Sequence, residues 1–278
     1  MLHKMTHDPA SNPAAAFVEI FRVAALQAGC VSRQLQQEVS LQHKNGDSDE
    51  STALTAVDLA AQQLILHLLH ATMADLAVDA EEQTSAVTLF PPEDGHRPLV
   101  ILDPIDGTLN YFRGSDDYAV MAALCIEELY QAAVVYFPVA DTMYWTTGNG
   151  AYCRERSGTT QRCSTAERRD NHLLVSPFVA PELRRRLEAA GFSTKLSRCS
   201  AVDALAPVSG RAAAAINSRL DRRAAIGFPI TTAAGGTVMI DSRVWQGEDP
   251  ANRFAPRSTV VVASSLGLAE RLSSLLVS

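Results

Sequence analysis

Hydrophobic and polar positions along the first part of the chain predict two long helices. From Phe17 to about Val39 apolar residues recur at helical spacing, and a second helical stretch runs from about Thr55 to Ala71. Asn12 and Pro13 are typical of an N-cap and a first helical residue, and they place the start of the first helix. A polar, turn-rich break at residues 44–51 separates the two predicted helices.

The middle of the chain changes to strand patterns. Leu99–Leu102 is wholly apolar, which predicts a strand buried on both faces with Asp103 at its carboxyl end. Three further segments separated by polar or proline-containing breaks predict an antiparallel meander, at 118–124, 132–136 and 143–146. The remainder alternates predicted strands at 173–176 and 260–263 with predicted helices at 181–190, 203–208, 224–234 and 266–275. This order predicts a layered α+β or α/β fold in two halves, with a boundary within residues 148–172.

Composition narrows the class of protein. The chain has 278 residues, of which 47% are hydrophobic, and its net charge is −7. Such a charge disfavours nucleic acid and anionic membranes as partners, so an anionic ligand would need local cations or backbone amides. We find no run that approaches roughly 18 apolar residues and no apolar signal-type stretch at the start. The five cysteines form no CxxC pair, so we expect a cytoplasmic protein without disulfides or zinc.

The strongest chemical signal follows the buried strand. Asp103 and Asp106 flank Pro104 and Ile105, and Gly107 and Thr108 come next, with Thr108 a good residue to begin a helix. Two carboxylates and a carbonyl on a rigid turn suit a hard divalent cation such as Mg²⁺, which also binds substrate phosphate oxygens. The alternative is a plain turn in which Asp103 only bonds its own backbone.

Neighbouring residues favour the first interpretation. Asp103–Tyr111 reads DPIDGTLNY and matches the highly specific DPIDGTxN[FY] signature of the inositol monophosphatase superfamily, which the chain resembles. Upstream, Thr55–Asp58 resembles the family's T-x-x-D, and Ala80–Glu82 resembles its GEE with the glycine replaced. Downstream, Cys199–Asp203 and Ala234–Gly236 resemble two further family motifs. The resemblance covers most of the chain, and it implies a magnesium-dependent phosphomonoesterase.

The resemblance also implies an architecture. It is a layered αβαβα sandwich that forms a homodimer. We expect residues 1–14 to be disordered, residues 15–150 to form a metal-binding α+β half with an antiparallel sheet, and residues 151–278 to form a C-terminal α/β half.

The metal ligands are implied residue by residue. Glu81, Asp103 and the carbonyl of Ile105 would hold a first Mg²⁺, or Mn²⁺. Asp103 would bridge to a second ion that Asp106 also binds. Asp221 is the nearest acid that could complete the second site.

The catalytic and phosphate-binding roles follow in the same way. Thr108, hydrogen-bonded to Asp58, would help Glu81 orient and deprotonate a water that attacks phosphorus in line. The backbone amides of Gly107 and Thr108, next to Asp106, would cradle the phosphate.

One family motif is broken. The family has W-D-x-A-A-G before a glycine pair, and counting back from Gly235–Gly236 without gaps places Arg223 at the aspartate and Arg222 at the tryptophan. A local bulge could instead bring Asp221 into place and complete the metal set. Alternatively the Arg223 guanidinium occupies the second metal region, pairing with Asp103, Asp106 or a phosphate as a permanent cation. A third interpretation leaves Arg223 on the surface.

Two functions remain open from the sequence. The first is Mg²⁺-dependent hydrolysis of a small phosphate monoester of the inositol phosphate, nucleotide or sugar phosphate class. The second is a degenerate member, a pseudophosphatase, that binds a phosphorylated metabolite or partner with little turnover because Arg223 replaces a ligand. Where relatives acting on inositol phosphates often carry an acid, this chain has Ile216 and Asn217, which weakens inositol phosphate as the substrate.

Overall fold

The structure is a computed structural model that describes residues 12–45, 50–165 and 171–277, with the side chains of 38–55 and 277 left aside. Of the segment 1–14, which we expected to be disordered, residues 1–11 lie outside the described residues, and the first helix already begins at Pro13. The predicted N-cap is confirmed, because the Asn12 side chain accepts a hydrogen bond from Ala15 N at 3.1 Å. Residues 46–49 of the predicted break also lie outside the described residues.

In the described part of the chain, two long helices precede two groups of strands, and a further helix follows the last strand. The helices are α1 (Pro13–Asn45), α2 (Glu50–Thr72), α3 (Thr108–Phe112), α4 (Pro181–Ala189), α5 (Ser200–Ala204), α6 (Ala206–Ser209), α7 (Phe228–Ala233) and α8 (Leu266–Val277). The strands are β1 (Ala77–Ala80), β2 (Leu99–Asp106), β3 (Ala119–Ile126), β4 (Leu129–Phe137), β5 (Thr142–Thr146), β6 (Ala151–Arg154), β7 (Thr160–Arg162), β8 (His172–Val175), β9 (Ser193–Leu196), β10 (Ala214–Asn217), β11 (Thr237–Ile240), β12 (Arg243–Val244) and β13 (Val260–Ala263). The helix predicted at 203–208 is wrong in its bounds, because α5 and α6 divide the segment at Leu205, just before Pro207.

The first sheet has seven strands in chain order, β1 to β7. β1 runs parallel to β2, and the following strands form the predicted antiparallel meander. The buried strand is confirmed, because alternate residues enter different cores. Val100 and Leu102 pack under α1 and α2, whereas Leu99 and Ile101 face the opposite side.

The second sheet has six strands in the order β12-β11-β13-β10-β8-β9. One core joins the inner faces of the two sheets with α5, α6 and α7, and another joins the outer face of the second sheet with α4 and α8. The layers are therefore helix, sheet, helix, sheet, helix, which confirms the αβαβα sandwich. The chain passes from one sheet to the other between Arg162 and His172, within residues 148–172, and the division into domains at residue 150 stays a prediction.

Helix α1 covers one face of the first sheet. Over Pro13–Gln37 it is long and apolar enough to cross a membrane by length and composition alone, a test that core helices also pass. Phe17 and Phe21 are completely buried and stack on each other within the core beneath the sheet. The apolar face of α1 therefore packs within the core of the fold.

Candidate active site between the two sheets

The acidic turn predicted after the buried strand is a bulge at the end of β2. Asp103 pairs with Met121 and Asp106 with Ala119, and the register shifts between these pairs. The Asp103 carboxylate accepts a hydrogen bond from Ile105 N at 3.1 Å, which fixes the bulge. Gly107 then takes φ +86° and begins the short helix α3.

Most of the predicted site residues meet in one pocket of about 430 Å³ between the two sheets. Glu81 comes from the end of β1, the aspartates from the bulge, and two others from the loop after β10. The predicted residues that line this pocket are Glu81, Asp103, Asp106, Gly107, Thr108, Asp221 and Arg223. Asp58 is buried on α2 and does not line it.

The acidic side chains of the pocket lie close together, and the pKa values of Asp103 and Glu81 are raised. Burial, followed by the charges of Asp106 and Glu81, raises the pKa of Asp103 well above its usual value. Burial also raises the pKa of Glu81, although a hydrogen bond from Asp103 and the charge of Arg223 oppose the rise. The pKa values of both carboxyls are thus raised, and a cation bound between them would offset their negative charge.

The pKa of Asp58 is raised for similar reasons. Burial, then the charges of Glu81 and Glu82, raises its pKa to about 8. Its Oδ1 atom is buried without a hydrogen-bond partner. The expected bond from Thr108 is not seen, because the Thr108 hydroxyl donates its one proton to the Ile105 carbonyl at 3.2 Å.

The Asp106 carboxylate has a structural role that the sequence did not predict. Its carboxylate accepts hydrogen bonds from Ser200 N, Ser200 Oγ and Ala201 N at 3.2, 2.7 and 2.6 Å, and from Cys199 Sγ at 2.9 Å. It thus caps the start of α5 from the other sheet. These four donors use the lone pairs that a metal ion would need.

Arg223 lies in the pocket but not on the predicted partners. Its Nη1 atom contacts Asp79 Oδ1 at 3.2 Å, so the predicted pairing with Asp103 or Asp106 is wrong in this structure. Asp79 was missed, and its place on β1 just before Glu81 was the only signal that could have indicated it. Asp221 also lines the pocket, but its Oδ1 accepts a hydrogen bond from Ala224 N at 2.8 Å.

The site fits one of the two implied metal ions and not the other. Within residues 12–45, 50–165 and 171–277, no three acidic, histidine or cysteine side chains stand close enough to hold an ion. The first implied ion needs only Glu81, Asp103 and a main-chain carbonyl, and these oxygen donors, with the two acids in one pocket, fit a hard cation. The second does not fit, because Asp106 is saturated and Arg223 stands where its last ligand is expected.

Sequence reasoning also missed the wall opposite the acids. Phe178, Arg198 and Arg219 line the pocket from the second sheet. Asp203 on α5 lies at its base, where burial raises its pKa to about 8. Nothing in the local sequence distinguishes Phe178, Arg198 and Arg219 from ordinary loop positions, whereas Asp203 ends the Cys199–Asp203 motif, to which no role was assigned.

The five-layer fold with an acidic pocket between its sheets defines the class of protein. The chain belongs to the inositol monophosphatase family, whose sequence pattern matches residues 16–278.

Curated relatives match part of the chain. It is 34% identical over 104 residues to a histidinol-phosphatase of Chlorobaculum parvum, covering 37% of this chain and 38% of the relative. It is 29% identical over 154 residues to inositol monophosphatase 1 of Sus scrofa, covering 55% and 53%. The chain thus spans about half the length of the curated relatives that it matches.

Solved structures share the whole fold. The extragenic suppressor protein SuhB of Bartonella henselae superposes with a TM-score of 0.71 at 20% identity, covering 95% of this chain and 99% of that one. SuhB of Mycobacterium tuberculosis gives the same TM-score and identity, covering 95% and 96%. At this level of identity the likeness establishes the fold alone.

Proposed function

We propose that the protein hydrolyses small phosphate monoesters with the help of one divalent cation, Mg²⁺ or Mn²⁺. The observation that carries the proposal is the meeting of Glu81, Asp103 and Thr108 in one pocket at the bulge of β2. Membership of a family that includes a histidinol-phosphatase and inositol monophosphatases supports it.

Glu81, Asp103 and the Ile105 carbonyl would hold the cation. When bound, it would supply positive charge to the phosphate and lower the pKa of water. Glu81 would act as the base that takes the proton of the attacking water, since its side chain is exposed in the pocket next to Asp103. Gly107, at φ +86°, and Thr108 bring their backbone N–H groups to the phosphate.

Arg223 takes over part of the charge that a second cation would provide. One of its nitrogens contacts Asp79, which leaves the others free to bind a phosphate oxygen from the pocket wall. A guanidinium neutralises phosphate charge but is not a Lewis acid for the leaving oxygen. We therefore expect slower turnover than a site with two cations would give.

The test is phosphate release from a broad panel of monoesters with and without Mg²⁺. We expect Mg²⁺-dependent release, and we expect Asp103→Asn to reduce it at least about a hundredfold by weakening the cation site. Asp75→Asn is the matched control, because Asp75 is exposed and outside the pocket. Its activity should equal that of the wild type, and melting curves should show that both variants fold.

A second candidate function is binding of a phosphate ester without hydrolysis. It is favoured because four donors already occupy the Asp106 carboxylate and because Arg223 lies where a metal ligand is expected. If calorimetry finds that esters bind and no panel member is hydrolysed, the protein is a phosphate-ester binder, a pseudophosphatase. The expected cytoplasmic location and the homodimer belong to the same proposal, and light scattering of the purified protein tests the second of these.

A further inference from the structure

The wall of the pocket opposite the acids is built by three neighbouring strands. β10, β8 and β9 lie side by side in the second sheet and run parallel. Their carboxyl ends therefore meet at one edge, which is where ligands bind in sheets of this kind. Among the residues that follow these strands and line the pocket are Arg219, Phe178 and Arg198 respectively.

The two arginines of this wall are not committed to the fold. Both are exposed, and among the described residues neither makes an ion pair with a carboxylate. The other arginines around the pocket each have a carboxylate partner, because Arg222 and Arg223 pair with Asp79 and Arg211 pairs with Asp117, although Arg223 uses only one nitrogen for this contact.

The aromatic residue between the arginines orients one of them. Phe178 is 59% exposed, and the guanidinium of Arg219 lies over its ring at 5.4 Å from the centroid. Arg198 also lines a neighbouring cavity of about 290 Å³ with Lys195 and Arg211. In a chain of net charge −7, this wall is therefore a local concentration of positive charge.

We propose that Arg198 and Arg219 bind a second anionic group of the substrate, a carboxylate or a further phosphate. The inference rests on the proposed function and adds its substrate class. The acids at the bulge serve the cation and the scissile phosphate, so guanidinium groups on the facing wall are left for the remainder of the molecule. The protein thus prefers phosphate esters that carry a second negative charge to esters of neutral alcohols.

The experiment compares two esters with the same three-carbon skeleton and the phosphate on the middle carbon. One is 2-phosphoglycerate, which carries a carboxylate, and the other is glycerol 2-phosphate, which carries a hydroxymethyl group instead. We expect kcat/KM to be at least about tenfold higher for 2-phosphoglycerate, as one charge-assisted hydrogen bond supplies. Arg198→Gln and Arg219→Gln should each remove most of this preference and leave kcat/KM for glycerol 2-phosphate within about twofold.

Arg243→Gln is the matched control, because Arg243 is an exposed arginine on β12 outside the pocket. It should keep the preference of the wild type. Equal rates for the two esters in the wild type would overturn the inference. So would arginine variants that lose both activities alike, because the arginines would then serve the scissile phosphate.

Failure of the proposed function gives a different result. If neither ester is hydrolysed, calorimetry with Mg²⁺ measures their binding to the same three variants and the wild type. Tighter binding of 2-phosphoglycerate that Arg198→Gln or Arg219→Gln abolishes upholds the anion site without catalysis. Equal or absent binding of the two esters overturns it.

Discussion

At the scale of single residues, Arg223 is the residue that we expect to limit the number of cations in the pocket. Its guanidinium contacts Asp79 and opposes the rise that burial causes in the pKa of Glu81, so it stands as a fixed positive charge beside the acids. Asp106, which would share a second cation, is instead held by four donors from the start of α5. Charge and ligand supply therefore both favour a single cation.

We accordingly predict that calorimetry finds about one Mn²⁺ bound per chain in the wild type, as expected where one acid pair is free for ligation. Arg223→Asp removes the fixed charge and adds a carboxylate, so it should admit a second ion and raise the Mg²⁺-dependent activity. Arg223→Gln is the control that removes charge without adding a ligand, and it should keep one site. Two sites in the wild type would contradict this account.

At the scale of elements, the sequence predicted β2 and its acidic turn because their signals are local. A run of four apolar residues and the following Asp-Pro-Ile-Asp lie within one short segment. The partners of these acids are distant, since Asp106 and Ser200 are 94 positions apart and Arg223 and Asp79 are 144 apart. Hydrophobic periodicity does not predict pairs of such distant residues, because they meet only when the two sheets pack face to face.

The turn after β2 gives a prediction on stability. Gly107 has φ +86°, and an added Cβ would lie 3.0 Å from Asp117 O and 3.1 Å from Cys199 Cβ. Gly95 has φ +75° with nothing within 4 Å, so Gly95→Ala measures the backbone cost alone. We expect Gly95→Ala to lower the free energy of unfolding by about 1 kcal/mol and Gly107→Ala by at least about 1 kcal/mol more.

Urea denaturation of the two variants measures the difference. Equal losses would mean that the segment around Cys199 moves to admit the methyl group. In that case the cap between Asp106 and α5 would be looser than the structure indicates.

At the scale of the whole molecule, Arg222 ties the two sheets together next to the pocket. From the loop after β10 it contacts Asp79 of β1 at 3.3 Å, Glu93 at 2.9 Å and Asp249 at 2.6 Å. Its backbone carbonyl accepts a hydrogen bond from Tyr130 of β4 at 2.8 Å. These contacts link the loop after β10 to β1 and β4 beside the pocket.

The strength of this tie can be measured with a double-mutant cycle on Arg222 and Asp249. Asp249 is only 2% exposed, so Arg222→Met leaves a buried carboxylate without its cation, and we expect a loss of about 2–3 kcal/mol in the free energy of unfolding. Asp249→Asn in the Arg222→Met background removes that charge, so the double variant should be more stable than the sum of the two single losses by at least about 1 kcal/mol. Arg185→Met is the control, because its ion pair with Glu182 is exposed on both sides and should contribute less than about 0.5 kcal/mol. Additive losses at Arg222 and Asp249 would mean that the shared core between the sheets, and not this ion cluster, sets the distance between the acids and the arginine wall.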